Sequence, residues 1–260
     1  MLENQMQKTS ALITTMVFIR RSVLHSLRNV DALIMAIALP IMLMLLFTYV
    51  FGGAIDSSGH YVNYVVPGII LLCAGFGSSS TAVDVATDMM NGIIDRFRTM
   101  PIQSINVITG HVVASLARNL LATGVVIIIG LLVGFHPNAS ILSWCAAVGM
   151  IGLFILAFTW LFAAIGLVAG NPAAASSYGF VLLFLPYLSS AFVPINTMPK
   201  WLQGIAENQP ITPVIETIRA LLMGGEVTNH IGLAVGWCLL ILVVSIYWST
   251  LTFKRKAGRR

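Results

Sequence analysis

The densest group of residues able to do chemistry is Asp84, Asp88, Asp95, Arg96 and Arg98, with Arg118 further on. Asp84 and Asp88 are four apart, so on a helix they share one face, and Arg118 is placed to pair with either. The plain reading is a set of ion pairs at a membrane edge. The sharper one is a proton or ion relay, because carboxylates inside membranes often mark such paths. A second pair, Glu216 and Arg219, is three apart and spans one helical turn.

No catalytic constellation accompanies these groups. His25, His60, His111, His136 and His230 are scattered over different loops and segments, and no H-E-x-x-H or G-x-S-x-G run occurs. A phosphate-cradling loop needs glycine directly before lysine. Lys8, Lys200, Lys254 and Lys256 are the only lysines and none follows glycine, so the chain is expected to bind no ATP itself. Cys73, Cys145 and Cys238 each fall inside an apolar segment, which argues against a disulfide framework and shows no metal or redox spacing.

The elements that must position these residues are membrane helices. Hydrophobic residues make up 58% of the 260 and charged residues 9%, far below the roughly 25% of soluble domains. Apolar segments over about 32–51, 62–83, 119–135, 141–169, 176–193 and 231–253 predict six crossings, with Pro40, Pro67 and Pro186 inside three of them. The first reads as a retained span rather than a cleaved leader, since a long stretch precedes it. All but two of the 14 Lys and Arg, Lys200 and Arg219, lie before the first segment, in or beside a loop at about 85–112, or after the last. Cytoplasmic loops retain Lys and Arg, so both ends are expected on the cytoplasmic side. This spread explains the net charge of +5 better than nucleic-acid binding does, and it suits contact with anionic lipid.

Two further elements frame the spans. Leu12, Met16, Ile19, Val23, Leu27 and Val30 recur at helical spacing, predicting an interfacial amphipathic helix within a tail of residues 1–30, ahead of a transmembrane domain over 31–260. Before the last span, 194–229 predicts an external, re-entrant pair of short helices. Its first helix carries Trp201 at the headgroup level; in its second, Thr212 is expected as N-cap and Gly224-Gly225 as the stop. The fold class is therefore an all-α integral membrane protein. Gly130/Gly134, Gly166/Gly170 and Gly232/Gly236 are small-residue pairs that permit close helix packing.

The loop Asn91-Gly92-Ile93-Ile94-Asp95-Arg96-Phe97-Arg98-Thr99-Met100-Pro101-Ile102 resembles that of the membrane subunits of ATP-binding-cassette exporters of the daunorubicin-resistance type. The run from Pro210 to Leu222, with Glu216 and Arg219, resembles the segment before the last span in the same family. The resemblance implies a bacterial inner-membrane permease in a homodimer or heterodimer, paired with separate nucleotide-binding ATPase subunits that hold ATP and Mg. It implies that Gly92, Ile94, Asp95, Arg96, Phe97, Arg98 and Pro101 form the element coupling the permease to the ATPase, and that the cargo is an amphipathic drug or lipid.

Two other functions fit the residues. A permease for a lipid-linked glycan or teichoic-acid-like polymer would draw on Phe154, Phe158, Trp160, Tyr178 and Tyr187 as a lining. An ion-coupled secondary carrier without an ATPase would centre on Asp84 and Asp88.

Overall fold

Proline inside a membrane helix leaves a carbonyl without its partner, and this chain answers that problem at once. The computed structural model describes residues 30–56, 59–92, 104–225 and 230–257. The first helix, α1 (Val30–Leu45), contains Pro40 and runs on as a π-helical turn, Leu46–Phe51, and a last α-turn, Gly52–Ile55. Pro40 cannot donate to the carbonyl of Ala36. The Cys73 thiol on the next helix donates there instead, at 3.7 Å. A side chain from a neighbour thus satisfies a backbone group that water cannot reach.

Helix α2 (Tyr61–Met90) follows, then α3 (Ser104–Val133) and α4 (Ile141–Val168). The turn after α3 is made by Gly134, whose φ of +112° suits glycine, and the Phe135 N–H closes it on the Gly130 carbonyl at 2.9 Å. Helix α5 (Pro172–Leu182) starts at Asn171, whose side chain caps the Ala174 N–H with proline at the first helical position. Two short helices, α6 (Lys200–Asn208) and α7 (Ile211–Met223), precede α8 (Ile231–Ala257). No strand occurs among the described residues.

Among the described residues, five helices are long and apolar enough to cross a membrane: Ala36–Ile55, Tyr61–Met90, Ile108–Val133, Ile141–Val168 and Ile231–Phe253. The fifth expected span, about 176–193, is instead the shorter apolar run Pro172–Leu188. Its α-helix stops at Leu182, and Pro186 turns the chain into a 3₁₀ segment, Leu185–Leu188. A second correction concerns the expected loop at about 85–112. Helix α2 runs on to Met90 and α3 begins at Ser104, so only 91–103 separates them. The expected amphipathic helix within 1–30 lies outside the described residues except for Val30, which begins α1.

The two central helices are α2 and α4. Of their apolar windows 72% is buried, against 17% for the first and last spans, which form the rim of the bundle. Ile69, Ile70, Leu71 and Leu72 of α2 share one core with Phe154, Ile155 and Phe162 of α4. Lipid tails are as apolar as these side chains, so association relies on close packing rather than on water exclusion. Backbone contact at small residues provides it. A Cβ on Gly68 would lie 2.6 Å from the Ala191 carbonyl oxygen, and one on Gly166 would lie 2.5 Å from that of Ala82. Of the small-residue pairs read from the sequence, Gly134, Gly170, Gly232 and Gly236 face open space, while Gly130 touches Val66.

This contrast makes a paired prediction. Gly68→Ala forces backbone apart and should cost about 1–3 kcal/mol, seen as a lower thermal midpoint in detergent. Gly232→Ala meets nothing and should leave the midpoint unchanged or raise it, since alanine favours helix by about 1 kcal/mol over glycine.

Candidate functional site

Helix α2 carries a polar node towards each end, and the two nodes hold most of the residues that the sequence marks. The first is built on the run Gly75 to Ser80. The hydroxyls of Ser78, Ser79 and Ser80 donate back to the carbonyls of Ala74, Phe76 and Gly77 at 2.7, 2.8 and 2.8 Å. Such back-bonding satisfies hydroxyls inside a membrane and loosens the helix that carries them.

Helices α3 and α4 complete this node. Thr81 donates to Ser115 Oγ at 2.8 Å, and Asn119 Nδ2 donates to Ser78 Oγ and Ser115 Oγ at 3.3 and 3.2 Å. Thr159 of α4 donates to Ser78 Oγ at 3.2 Å. Asn119 lies flat against Gly77, where any Cβ would collide with its amide. Its Oδ1 is buried and has no hydrogen-bond partner among the described residues.

Arg118 closes the node. Its Nη2 donates to Ser80 Oγ and, at 3.5 Å, to the Gly77 carbonyl; its Nη1 lies 3.7 Å from Asp84 Oδ2. The side chain is 5% exposed. The sequence reading placed it at the start of a span beginning near residue 119. The helix begins at Ser104, so Arg118 sits inside it, about 21 Å along. An arginine within a membrane helix costs on the order of 2.5–3.5 kcal/mol, and the three acceptors on α2 offset that cost. Asp88 pairs with His111 Nε2 at 3.1 Å, a partner that the sequence reading did not assign. Met90 ends α2, and Gly92, at φ +65°, turns the chain away. Ile94, Asp95, Arg96, Phe97, Arg98 and Pro101 lie outside the described residues.

The second node sits where α2 begins. Arg219 of α7 donates to Glu216 at 2.6 Å, twice to the Tyr64 carbonyl at 3.2 Å, and to the Ser190 carbonyl at 2.8 Å. Its guanidinium lies 3.8 Å from the centre of the Tyr64 ring. Tyr64 and Tyr61 donate in turn to the carbonyls of Ser190 and Phe192 at 2.9 and 2.6 Å. Arg219 therefore joins α7, α2 and the segment after α5, a wider role than the expected pair with Glu216. Thr212 is not an N-cap. Helix α7 begins a residue earlier, and the Thr212 hydroxyl donates back to Ala206 at 2.6 Å. Gly224, at φ +77°, stops the helix as expected, and Trp201 on α6 is exposed.

Beside this node, His60, His136, Asp56, Asn63 and Tyr49 border a cavity of about 640 Å³ between the ends of α1 and α3 and the start of α2. Among the described residues no group of three or more His, Cys, Asp or Glu comes together to hold a metal ion. The aromatic lining considered for a glycan path is divided. Phe154, Phe158 and Trp160 are buried, with Phe154 and Phe158 stacked at 4.2 Å, whereas Tyr178 and Tyr187 face outward.

Sequence reasoning missed Ser115, Asn119 and Thr159. One signal was available: Ser115 and Asn119 are four apart and polar within an apolar run, as expected for polar groups that join membrane helices.

Five helices able to cross a membrane, joined by polar nodes, define a multi-pass bundle, and comparison with known proteins gives its class. Residues 14–223 match the family described as ABC-2 type transporter. The chain is 30% identical over 217 residues to the daunorubicin resistance ABC transporter permease protein DrrB1 of Streptomyces coeruleorubidus, covering 83% of this chain and 76% of that one. It is 25% identical over 230 residues to the inner membrane transport permease YadH of Escherichia coli K12, covering 81% and 84%. The chain belongs to the ABC-2 type transporter membrane family. It is a multi-pass transport permease, the transmembrane subunit of an ABC transporter, and such subunits work with a separate ATP-binding subunit.

The Arg219 node separates two magnitudes. A hydrogen bond to a charged group contributes about 1.5–3 kcal/mol, whereas a one-turn ion pair contributes about 0.2–0.5 kcal/mol. Arg219→Gln should therefore destabilise the bundle by about 3 kcal/mol or more, and Glu216→Gln by less than about 1 kcal/mol, in thermal unfolding of the detergent-solubilised protein.

Proposed function

We propose that this chain is the permease of an exporter that moves amphipathic drugs or lipids out of the cytoplasm or inner leaflet of a bacterial inner membrane. The observation that carries this reading is the similarity over most of the chain to a permease named for daunorubicin resistance. The burial of charge supports it: the charged groups of the bundle are tied to one another or to carbonyls, which suits an amphipathic cargo better than a strongly charged one.

In this reading both ends of the chain face the cytoplasm, because all but two of the Lys and Arg flank that side. Residues 1–30 supply a cytoplasmic tail and an interfacial helix that meets anionic lipid, and 31–260 form the transmembrane domain. Two copies, or one copy and a homologous permease, pair with two ATPase subunits, which hold ATP and Mg; this chain carries no glycine-lysine phosphate loop of its own. The segment from Gly92 through Pro101 meets the ATPase. Phe97 supplies an aromatic anchor for a groove, and Asp95, Arg96 and Arg98 set its register, with Ile94 beside them. Nucleotide binding closes the ATPase pair, pushes on this segment, and shifts the permease between two arrangements.

The test starts with the tagged chain purified from native membranes in mild detergent. A stoichiometric ATP-binding subunit with vanadate-sensitive hydrolysis is the expected result. A clean oligomer of this chain alone, in a detergent that preserves such complexes, would overturn the reading. In the intact complex, replacing Arg96 and Phe97 by alanine should leave membrane insertion unchanged and separate ATP hydrolysis from export. Normal coupling in that double variant would remove the role given to the segment.

A further inference from the structure

The C-terminal half of α2 is attached to the rest of the bundle by few polar bonds, and Arg118 makes several of them. Between Gly75 and Ser80 the helix combines two glycines with three serines that bond back onto carbonyls, so it is locally soft. Beyond this stretch it runs unbroken to Met90 and the turn at Gly92. The Arg118 guanidinium spans the two regions: it holds the Gly77 carbonyl and Ser80 Oγ on the soft stretch and Asp84 on the segment beyond. His111, also on α3, holds Asp88 one turn further along. On the other side, α4 packs Gly166 against Ala82 and Val85 of the same segment.

We propose that Arg118 is a positioning residue for energy coupling. It locks the C-terminal half of α2 to α3, so that a displacement at Gly92 moves both helices as one lever and bends α2 at Gly75 to Ser80. This inference rests on the reading that the segment after Gly92 meets the ATPase.

Two observations set it apart from a purely structural role. A buried ion pair contributes little stability compared with apolar groups of the same volume, so stability alone does not explain an arginine here. The amide of Asn119, next in the chain, leaves Oδ1 buried and without a partner among the described residues, so this arrangement of α2 and α3 does not by itself satisfy the node completely. A bend of α2 over Gly77, against which that amide lies, changes the surroundings of the unpaired oxygen. A node left incomplete in this way suits a joint that moves.

The test uses the whole permease–ATPase complex in lipid nanodiscs, with Cys145 replaced by serine because it is the exposed cysteine. Spin labels go on the exposed positions Met90 of α2, Leu121 of α3 and Val148 of α4. Pulsed electron resonance then gives the 90–121 and 90–148 distances, without nucleotide and after trapping with ATP and vanadate. The expected result is that trapping changes the 90–148 distance and leaves 90–121 unchanged. In Arg118→Met the 90–121 distribution should broaden by several ångström on trapping, with ATP hydrolysis retained. Arg118→Lys, which keeps the charge, should restore most of the sharp distance. Ser80→Ala, which removes a single acceptor, should broaden it less and covers the case in which Arg118→Met does not fold.

An Arg118→Met complex whose two distances respond as in the native chain would overturn the proposal. So would a native complex that hydrolyses ATP while 90–121 changes as much as 90–148. Failure to isolate any ATPase with the chain would instead count against the function proposed above, and is seen before any label is attached.

Discussion

Hydrocarbon offers no hydrogen bonds, so every polar group carried into the bundle must find its partner on another part of the same protein. This constraint organises the structure from the first helix on. The carbonyl freed by Pro40 is met by the Cys73 thiol. The serine hydroxyls of α2 fold back on their own helix, and those still able to accept gather Asn119 and Thr159 from its neighbours. Arg118 and Arg219 are tolerated because carbonyls, hydroxyls and carboxylates surround them. Helix α2 is central because it supplies acceptors to both.

Much of this was legible in the residues. Apolar length, proline positions and the one-sided Lys and Arg identify a membrane bundle, and the spans over 141–169 and 231–253 agree closely with Ile141–Val168 and Ile231–Phe253. The pair Glu216 and Arg219 follows from helical spacing alone. The ends of α2 and α3 were not legible, because Asp84, Asp88, His111 and Arg118 read one at a time look like residues that end a span. Together they pair across two helices, and the helices continue. The same limit hid the contact between Gly77 and Asn119. A spacing rule finds pairs of small residues on one helix, whereas this contact sets one glycine against an amide on another. The short α5 was hidden for a related reason: hydropathy continues through Pro186, but the backbone ladder does not.

The two arginines differ in what they join, and the difference bears on motion. Arg219 binds main-chain carbonyls from α2 and from the segment after α5, besides Glu216 on its own helix, and it is crowded by the Tyr64 ring. Carbonyls of packed backbone are fixed acceptors, so this clasp holds one arrangement. The partners of Arg118 include the Ser80 hydroxyl and the Asp84 carboxylate, which sit on rotatable side chains. Such acceptors can follow a guanidinium through a small displacement. A transporter that alternates between two arrangements needs both kinds of joint, one that keeps the bundle registered and one that yields. In this chain they lie on opposite halves of one helix, with the soft serine stretch beside the joint that yields.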